Sequence, residues 1–217
     1  MRDEVIKQIE KNKLIVIVRG VERSDLIPLA EALFEGGVRL LELTYCADGS
    51  VSDVEMADRI GMLAKAFQGR LLVGAGTVLT ERQVQLTANA GGAFIISPDA
   101  YEPVIRETRA LRLVSIPGVM TPSEIRGAQR AGADFVKLFP AGALGAKYVK
   151  DVLAPLSDAK LLAVGGIHDG NMREYTQAGV RGFGVGSAVI DKRMIACGDF
   201  AGIKELARSY VGAALAK

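Results

Sequence analysis

Arg130-Ala131-Gly132-Ala133-Asp134-Phe135-Val136-Lys137-Leu138-Phe139-Pro140 reads as the end of an alanine-rich helix, a glycine turn and a short apolar strand. The same order of helix end, glycine and strand returns in Glu35-Gly36-Gly37-Val38, Ala90-Gly91-Gly92-Ala93 and Gln177-Ala178-Gly179-Val180. Glycine at these points accepts the left-handed conformation that ends a helix. Working outward, eight short apolar runs emerge: Leu14–Val18, Val38–Thr44, Arg70–Val73, Ala93–Ser97, Arg112–Ile116, Asp134–Phe139, Lys160–Val164 and Gly182–Val185. Amphipathic segments lie between them, with helices expected over Asp25–Phe34, Ser52–Ala66 and Ser123–Ala131. This is the pattern of parallel strands buried on both faces and joined by crossover helices. Eight units in 217 residues leave about 27 residues each, close to the minimum for a (β/α)8 barrel, whereas an open doubly wound sheet has fewer strands. The expected fold is a minimal α/β TIM barrel, one domain over residues 1–217.

Composition narrows the chemistry. Lys and Arg total 27 against 25 Asp and Glu, a net charge of +2 that gives no electrostatic reason to expect nucleic acid or a membrane as partner. His168 is the single histidine, and Cys46 and Cys197 are the only cysteines. That excludes zinc centres built from several such residues, iron–sulfur clusters and a dense disulfide framework, so neither metal nor cofactor is expected. The N-terminus is charged and the first apolar run, Leu14–Val18, is too short to cross a bilayer. With no linker-like stretch, one soluble unit in a reducing cytoplasm is expected.

In such barrels chemistry gathers at the C-terminal ends of the strands. Standing there are Arg19, Glu42 with Thr44, Gly74-Ala75-Gly76-Thr77, Ser97-Pro98, Pro117-Gly118, Lys137, Gly165-Gly166 and Gly186-Ser187. Lys137 puts an amine in an apolar strand, on the same side as Phe135 and Phe139. If that side is the lumen, desolvation lowers the amine pKa, and a neutral amine attacks carbonyls. Glu42, in Leu40-Leu41-Glu42-Leu43-Thr44, is the matching anomaly, a carboxylate suited to the proton transfers of Schiff-base chemistry. The competing reading is a buried Lys–Glu ion pair that merely joins two strands. Both readings require the two residues to be neighbours.

The glycines of Val164-Gly165-Gly166-Ile167 and Val185-Gly186-Ser187 follow the seventh and eighth runs, where barrels bind phosphate through backbone amides. Ser187 adds a hydroxyl and is expected to open a short helix. Gly74-Ala75-Gly76-Thr77 lacks the third glycine and the acidic residue of a dinucleotide fingerprint, which excludes a Rossmann site.

In combination and order, Ile17-Val18-Arg19, Leu41-Glu42-Leu43-Thr44, Val73–Leu79, Ile96-Ser97-Pro98, Ile116-Pro117-Gly118, Lys137-Leu138-Phe139-Pro140, Val164–Ile167 and Gly186-Ser187 resemble the 2-keto-3-deoxy-6-phosphogluconate and 4-hydroxy-2-oxoglutarate aldolase family, which also contains the phosphogalactonate enzymes. The resemblance implies a metal-free class I aldolase, a homotrimer, that cleaves a 2-keto-3-deoxy-6-phospho sugar acid or 4-hydroxy-2-oxoglutarate. The products are pyruvate and an aldehyde such as glyceraldehyde 3-phosphate or glyoxylate. It further implies Lys137 as the Schiff-base lysine and Glu42 as the acid/base. Thr77 falls near the pyruvate carboxylate, Pro98 and Phe139 on an apolar wall, and Gly165, Gly166, Gly186 and Ser187 at the phosphate. One position departs: where phosphogluconate-type members carry an arginine two residues after Glu-x-Thr, this chain has Thr44-Tyr45-Cys46. Cys46 makes no bidentate carboxylate pair, so Arg19 is the replacement expected, in a setting closer to the phosphogalactonate type.

Two other functions share this fold: a phosphosugar-binding barrel without catalysis, and a phosphosugar epimerase or isomerase in which Lys137 is an acid/base or phosphate contact. Loop Cys46–Val51 is expected to set aldehyde specificity. His168 reads as a surface loop residue beside Asp169, which suits a helix N-cap, and Ile203–Leu215 as a closing amphipathic helix.

Overall fold

The computed structural model describes residues 2–216. A helix, α1 (Arg2–Asn12), precedes the barrel, and strands then alternate with helices to a closing helix, α10 (Phe200–Leu215). The strands are β1 (Leu14–Val18), β2 (Leu40–Thr44), β3 (Leu72–Gly76), β4 (Phe94–Ile96), β5 (Val114–Ile116), β6 (Gly118–Val119), β7 (Val136–Leu138), β8 (Leu161–Val164) and β9 (Gly182–Val185). Between them run α2 (Leu26–Glu35), α3 (Asp53–Ala66), α4 (Glu81–Asn89), α5 (Glu102–Ala110), α6 (Pro122–Ala131), α7 (Ala141–Leu153), α8 (Met172–Ala178) and α9 (Lys192–Ala196).

All strand pairs are parallel, in the order β5-β4-β3-β2-β1-β9-β8-β7-β6. Nine segments make an eight-stranded barrel, because β5 and β6 are one strand interrupted at Pro117, which has no N–H to donate. The Pro117 carbonyl still accepts from Lys137 N–H at 2.8 Å, and Ser115 O accepts from Phe135 N–H, which closes the ring. The eight expected runs are thus the barrel strands, several starting later than the apolar pattern does. Each of the four helix-ending glycine sites carries one left-handed glycine, Gly37, Gly91, Gly132 and Gly179.

Apolar residues form two cores. The larger fills the space between strands and helices. The smaller, including Ile15, Leu40, Phe94, Val114, Phe135 and Leu162, fills the lower lumen, and Val5 and Ile9 of α1 plug it from below. Their spacing of four puts both on one face of α1, a signal present in the sequence but not used above. The closing helix α10 packs on α2, where a Cβ on Gly36 would lie 2.5 Å from the Ala207 Cβ. No helix among the described residues is long and apolar enough to cross a membrane.

Two local expectations fail. Asp169 is not an N-cap: α8 has Asn171 in that place, while Asp169 accepts from Gly170 N–H and the Ser209 hydroxyl. Ser187 does not open a helix; Ser187–Val189 form one turn, closed by Val189 and Ile190 N–H groups on Gly186 O, and α9 starts at Lys192. Asp191 stops that turn by committing its carboxylate to the N–H groups of Arg193 and Met194.

Candidate active site

Alternation along β2 and β7 carries the lumen face upward from Leu40 to Glu42 and from Phe135 to Lys137. Glu42 is 2% exposed and Lys137 8% exposed. Room for the carboxylate comes from β3: a Cβ on Gly76 would lie 1.6 Å from Glu42 Oε1, so only glycine fits opposite it. One layer below, Gly74 makes the same allowance for the Phe94 ring, 2.3 Å from its absent Cβ.

Glu42 and Lys137 face one lumen, yet no ion pair within 4.0 Å joins them among the described residues. Glu42 Oε2 is buried without a hydrogen-bond partner among the described residues. Burial pushes the Glu42 carboxyl up to about 7, against the opposing pull of the Lys137 and Arg19 charges. Burial likewise depresses the Lys137 amine; Glu42 counteracts this and Arg19 adds to it. A carboxyl that titrates near neutrality and an amine held toward its neutral form are suited to proton transfer and to nucleophilic attack, respectively. A buried strand-joining ion pair would show the reverse, with both charges satisfied at contact distance.

Above this pair, Arg19 follows β1 and donates to Thr77 Oγ1 at 3.1 Å. Thr77 has φ of 55°, a left-handed backbone costly for a β-branched residue. Such strain persists only where the surroundings enforce it. Here Val78 N–H is tied to Ile96 O, and Leu79 and Thr80 N–H to Gln83 Oε1. The Phe139 ring, 43% exposed, lies 4.9 Å from Lys137 Nζ. Gly165 backs it closely, since a Cβ there would fall 2.9 Å from the ring. Pro98 is exposed at the rim, with its carbonyl against Gly118.

Gly165 and Gly166 are both left-handed and rest on the start of α7, where Gly142 N–H donates to Gly165 O at 2.8 Å. The N–H groups of Gly165, Gly166, Gly186 and Ser187 donate to no acceptor among the described residues. Arg19, Glu42, Thr77, Pro98, Lys137, Phe139, Gly165, Gly166, Gly186 and Ser187 thus lie in the upper part of their strands or just beyond their C-terminal ends. His168 is exposed. Cys46 is half-buried beside Thr44 and Arg59 at a small cavity of about 30 Å³, and neither it nor Cys197 is in a disulfide. The residue whose importance the sequence reading missed is Gly76; it stands level with Thr44 in the adjacent strand, and the Glu42 side chain reaches up into the space its missing Cβ leaves.

The chain matches the family described as KDPG and KHG aldolase over residues 5–206. It is 35% identical over 184 residues to a probable 2-dehydro-3-deoxy-6-phosphogalactonate aldolase of Rhizobium meliloti, covering 84% of each chain. It is 34% identical over 199 residues to the KHG/KDPG aldolase of Escherichia coli, covering 91% of this chain and 89% of that one. Among solved structures it superimposes on KDPG aldolase from Legionella pneumophila, holding pyruvate as a covalent carbinolamine, with a TM-score of 0.84 at 29% identity over 97% and 98% of the two chains.

Proposed function

The chain belongs to the KDPG and KHG aldolase family, a family of carbon–carbon lyases that form pyruvate, and from that premise we propose that Lys137 is its Schiff-base nucleophile and Glu42 its acid/base. The observation that carries this assignment is a buried lumen amine facing a buried carboxyl oxygen that no described residue satisfies.

Neutral Lys137 Nζ adds to the C2 carbonyl of the keto acid, giving a carbinolamine that loses water to form a protonated imine. Removal of the C4 hydroxyl proton then breaks the C3–C4 bond; the bonding pair moves into the imine as an enamine, and the aldehyde leaves. Glu42, acting through a water, takes the C4 proton and returns one to C3, work for which a carboxyl titrating at about 7 is matched. Hydrolysis of the resulting imine releases pyruvate and regenerates the amine. Arg19, positioned by Thr77, takes the substrate carboxylate in place of the arginine that Cys46 replaces. Phe139 and Pro98 line the apolar side, while the free N–H groups of Gly165, Gly166, Gly186 and Ser187 receive the phosphate.

The Cys46 position and the Rhizobium relative favour a phosphogalactonate-type substrate. Comparison of phosphogluconate, phosphogalactonate and hydroxyglutarate substrates tests this preference; equal rates without phosphate would remove the role of the glycine turns. The working form is a homotrimer in the cytoplasm. Exposed Leu79, Tyr101 and Met120 on successive loops of the site-bearing end supply apolar surface for such an assembly.

Borohydride trapping with pyruvate, followed by peptide mass spectrometry, tests the central assignment. The adduct is expected on Lys137 and absent from Lys137→Ala; wild-type protein without an adduct at Lys137 would refute it.

A further inference from the structure

The rim of the site holds two cations without acidic partners. Arg19 follows β1, and Lys192, the first residue of α9, reaches back over the β1 loop until its Nζ would lie 3.1 Å from a Cβ on Gly20. Gly20 is left-handed and bare, which leaves the space that the ammonium occupies. Neither Arg19 nor Lys192 forms an ion pair among the described residues. The nearest acid in sequence, Asp191, is already taken by Arg193, through both its backbone N–H and its guanidinium. The cations that follow it are both paired, Arg193 with Asp191 and Lys204 with Glu35. Lys192 is therefore a conspicuously uncompensated charge, held where the β1 and β9 loops meet. Gly186 stands at that same junction, the site of its missing Cβ 3.6 Å from the Ile17 carbonyl oxygen.

We propose that Lys192 is a specificity-determining contact for the phosphate end of the substrate, supplying the positive charge that the neutral N–H groups of Gly186 and Ser187 lack. This rests on the aldolase reading above. Backbone amides orient a phosphate oxygen but leave the dianion's charge uncompensated, whereas an exposed ammonium on a flexible stem neutralises part of it without fixing one geometry. Lys192 thus acts on selection between phosphorylated and unphosphorylated keto acids and leaves the pyruvate half to Arg19 and Lys137.

The test compares kcat/KM for a 2-keto-3-deoxy-6-phospho sugar acid and for 4-hydroxy-2-oxoglutarate in wild type, Lys192→Ala and Lys192→Arg, with inorganic phosphate as a competitive inhibitor. Lys192→Ala is expected to lower the phosphorylated-to-unphosphorylated ratio about tenfold, chiefly through KM, and to weaken inhibition by phosphate to a similar degree. Lys192→Arg is expected to keep most of both. A ratio equal to that of wild type overturns the proposal, and so does an equal loss on both substrates, which would put Lys192 on the part they share. The pyruvate adduct at Lys137 is measured in parallel. A wild-type adduct with an unchanged ratio removes the role of Lys192 alone, whereas a missing adduct ends the aldolase reading and this proposal with it.

Discussion

The lower and upper halves of the barrel lumen are built from the same strands by the same alternation, two residues apart, and they do opposite things. Below, Leu40, Phe94, Phe135 and Leu162 interlock over the α1 plug and leave no polar atom to satisfy. Above, Glu42 and Lys137 occupy the next inward positions of β2 and β7, and one carboxyl oxygen there has no partner. The lower layer supplies the low-dielectric floor, and the upper layer uses it, because burial is the largest cause of both pKa displacements. A stable floor and an unsatisfied layer above it are thus two parts of one device.

Substitutions that exchange the character of the halves test this division. The largest effect is expected for Glu42→Gln, which should lower turnover by roughly 10² to 10⁴ while still allowing the pyruvate adduct. Unchanged turnover would break the assignment. The same variant carries a stability signature. Burial raises the Glu42 pKa to about 7, so its protonated form stabilises the fold below the usual carboxylate range, and that stability is lost as pH rises through about 7. Wild type should lose roughly 3 kcal/mol of stability between pH 4 and pH 8 from this group, and Glu42→Gln should flatten the curve, as followed by denaturant titration.

In the floor, Phe94→Ala should cost about 3–5 kcal/mol of stability, seen as a lowered midpoint of unfolding, with kcat of the folded fraction far less affected than by Glu42→Gln. A collapse of kcat at full folding would mean that the two layers are not separable. The smallest effect is expected at the rim. Thr77→Gly removes the left-handed strain and should stabilise the fold by about 1 kcal/mol, while loss of the Arg19 contact raises KM for pyruvate capture several-fold.

Much of the fold was legible because parallel strands buried on both faces leave continuous apolar runs, and because the helix ends carry glycine. Strand starts were less legible, since Val38 and Arg70 continue the pattern of their strands without joining the ladder. The break at Pro117 was visible as a residue but not as a break, because a proline at a strand end and a proline inside a bent strand have the same local signature. Asp169 and Ser187 were misread for a related reason: both helices start later than local spacing suggests, α8 after Asn171, whose side chain turns back to accept from His168 N–H, and α9 after Asp191, whose carboxylate caps it.

The sequence alone determined the order of βα units, the membership of Glu42 and Lys137 in otherwise apolar strands, and the glycine turns after β8 and β9. These follow from periodicity and from the cost of burying charge, both written locally. Tertiary structure decided what periodicity leaves open. It separated Glu42 and Lys137 beyond ion-pair contact, seated the carboxylate against Gly76, strained Thr77 beneath Arg19 and laid Lys192 over Gly20. Each of these depends on how far apart two strands or loops lie once the barrel closes, a distance set by packing across the whole ring and not by any single segment.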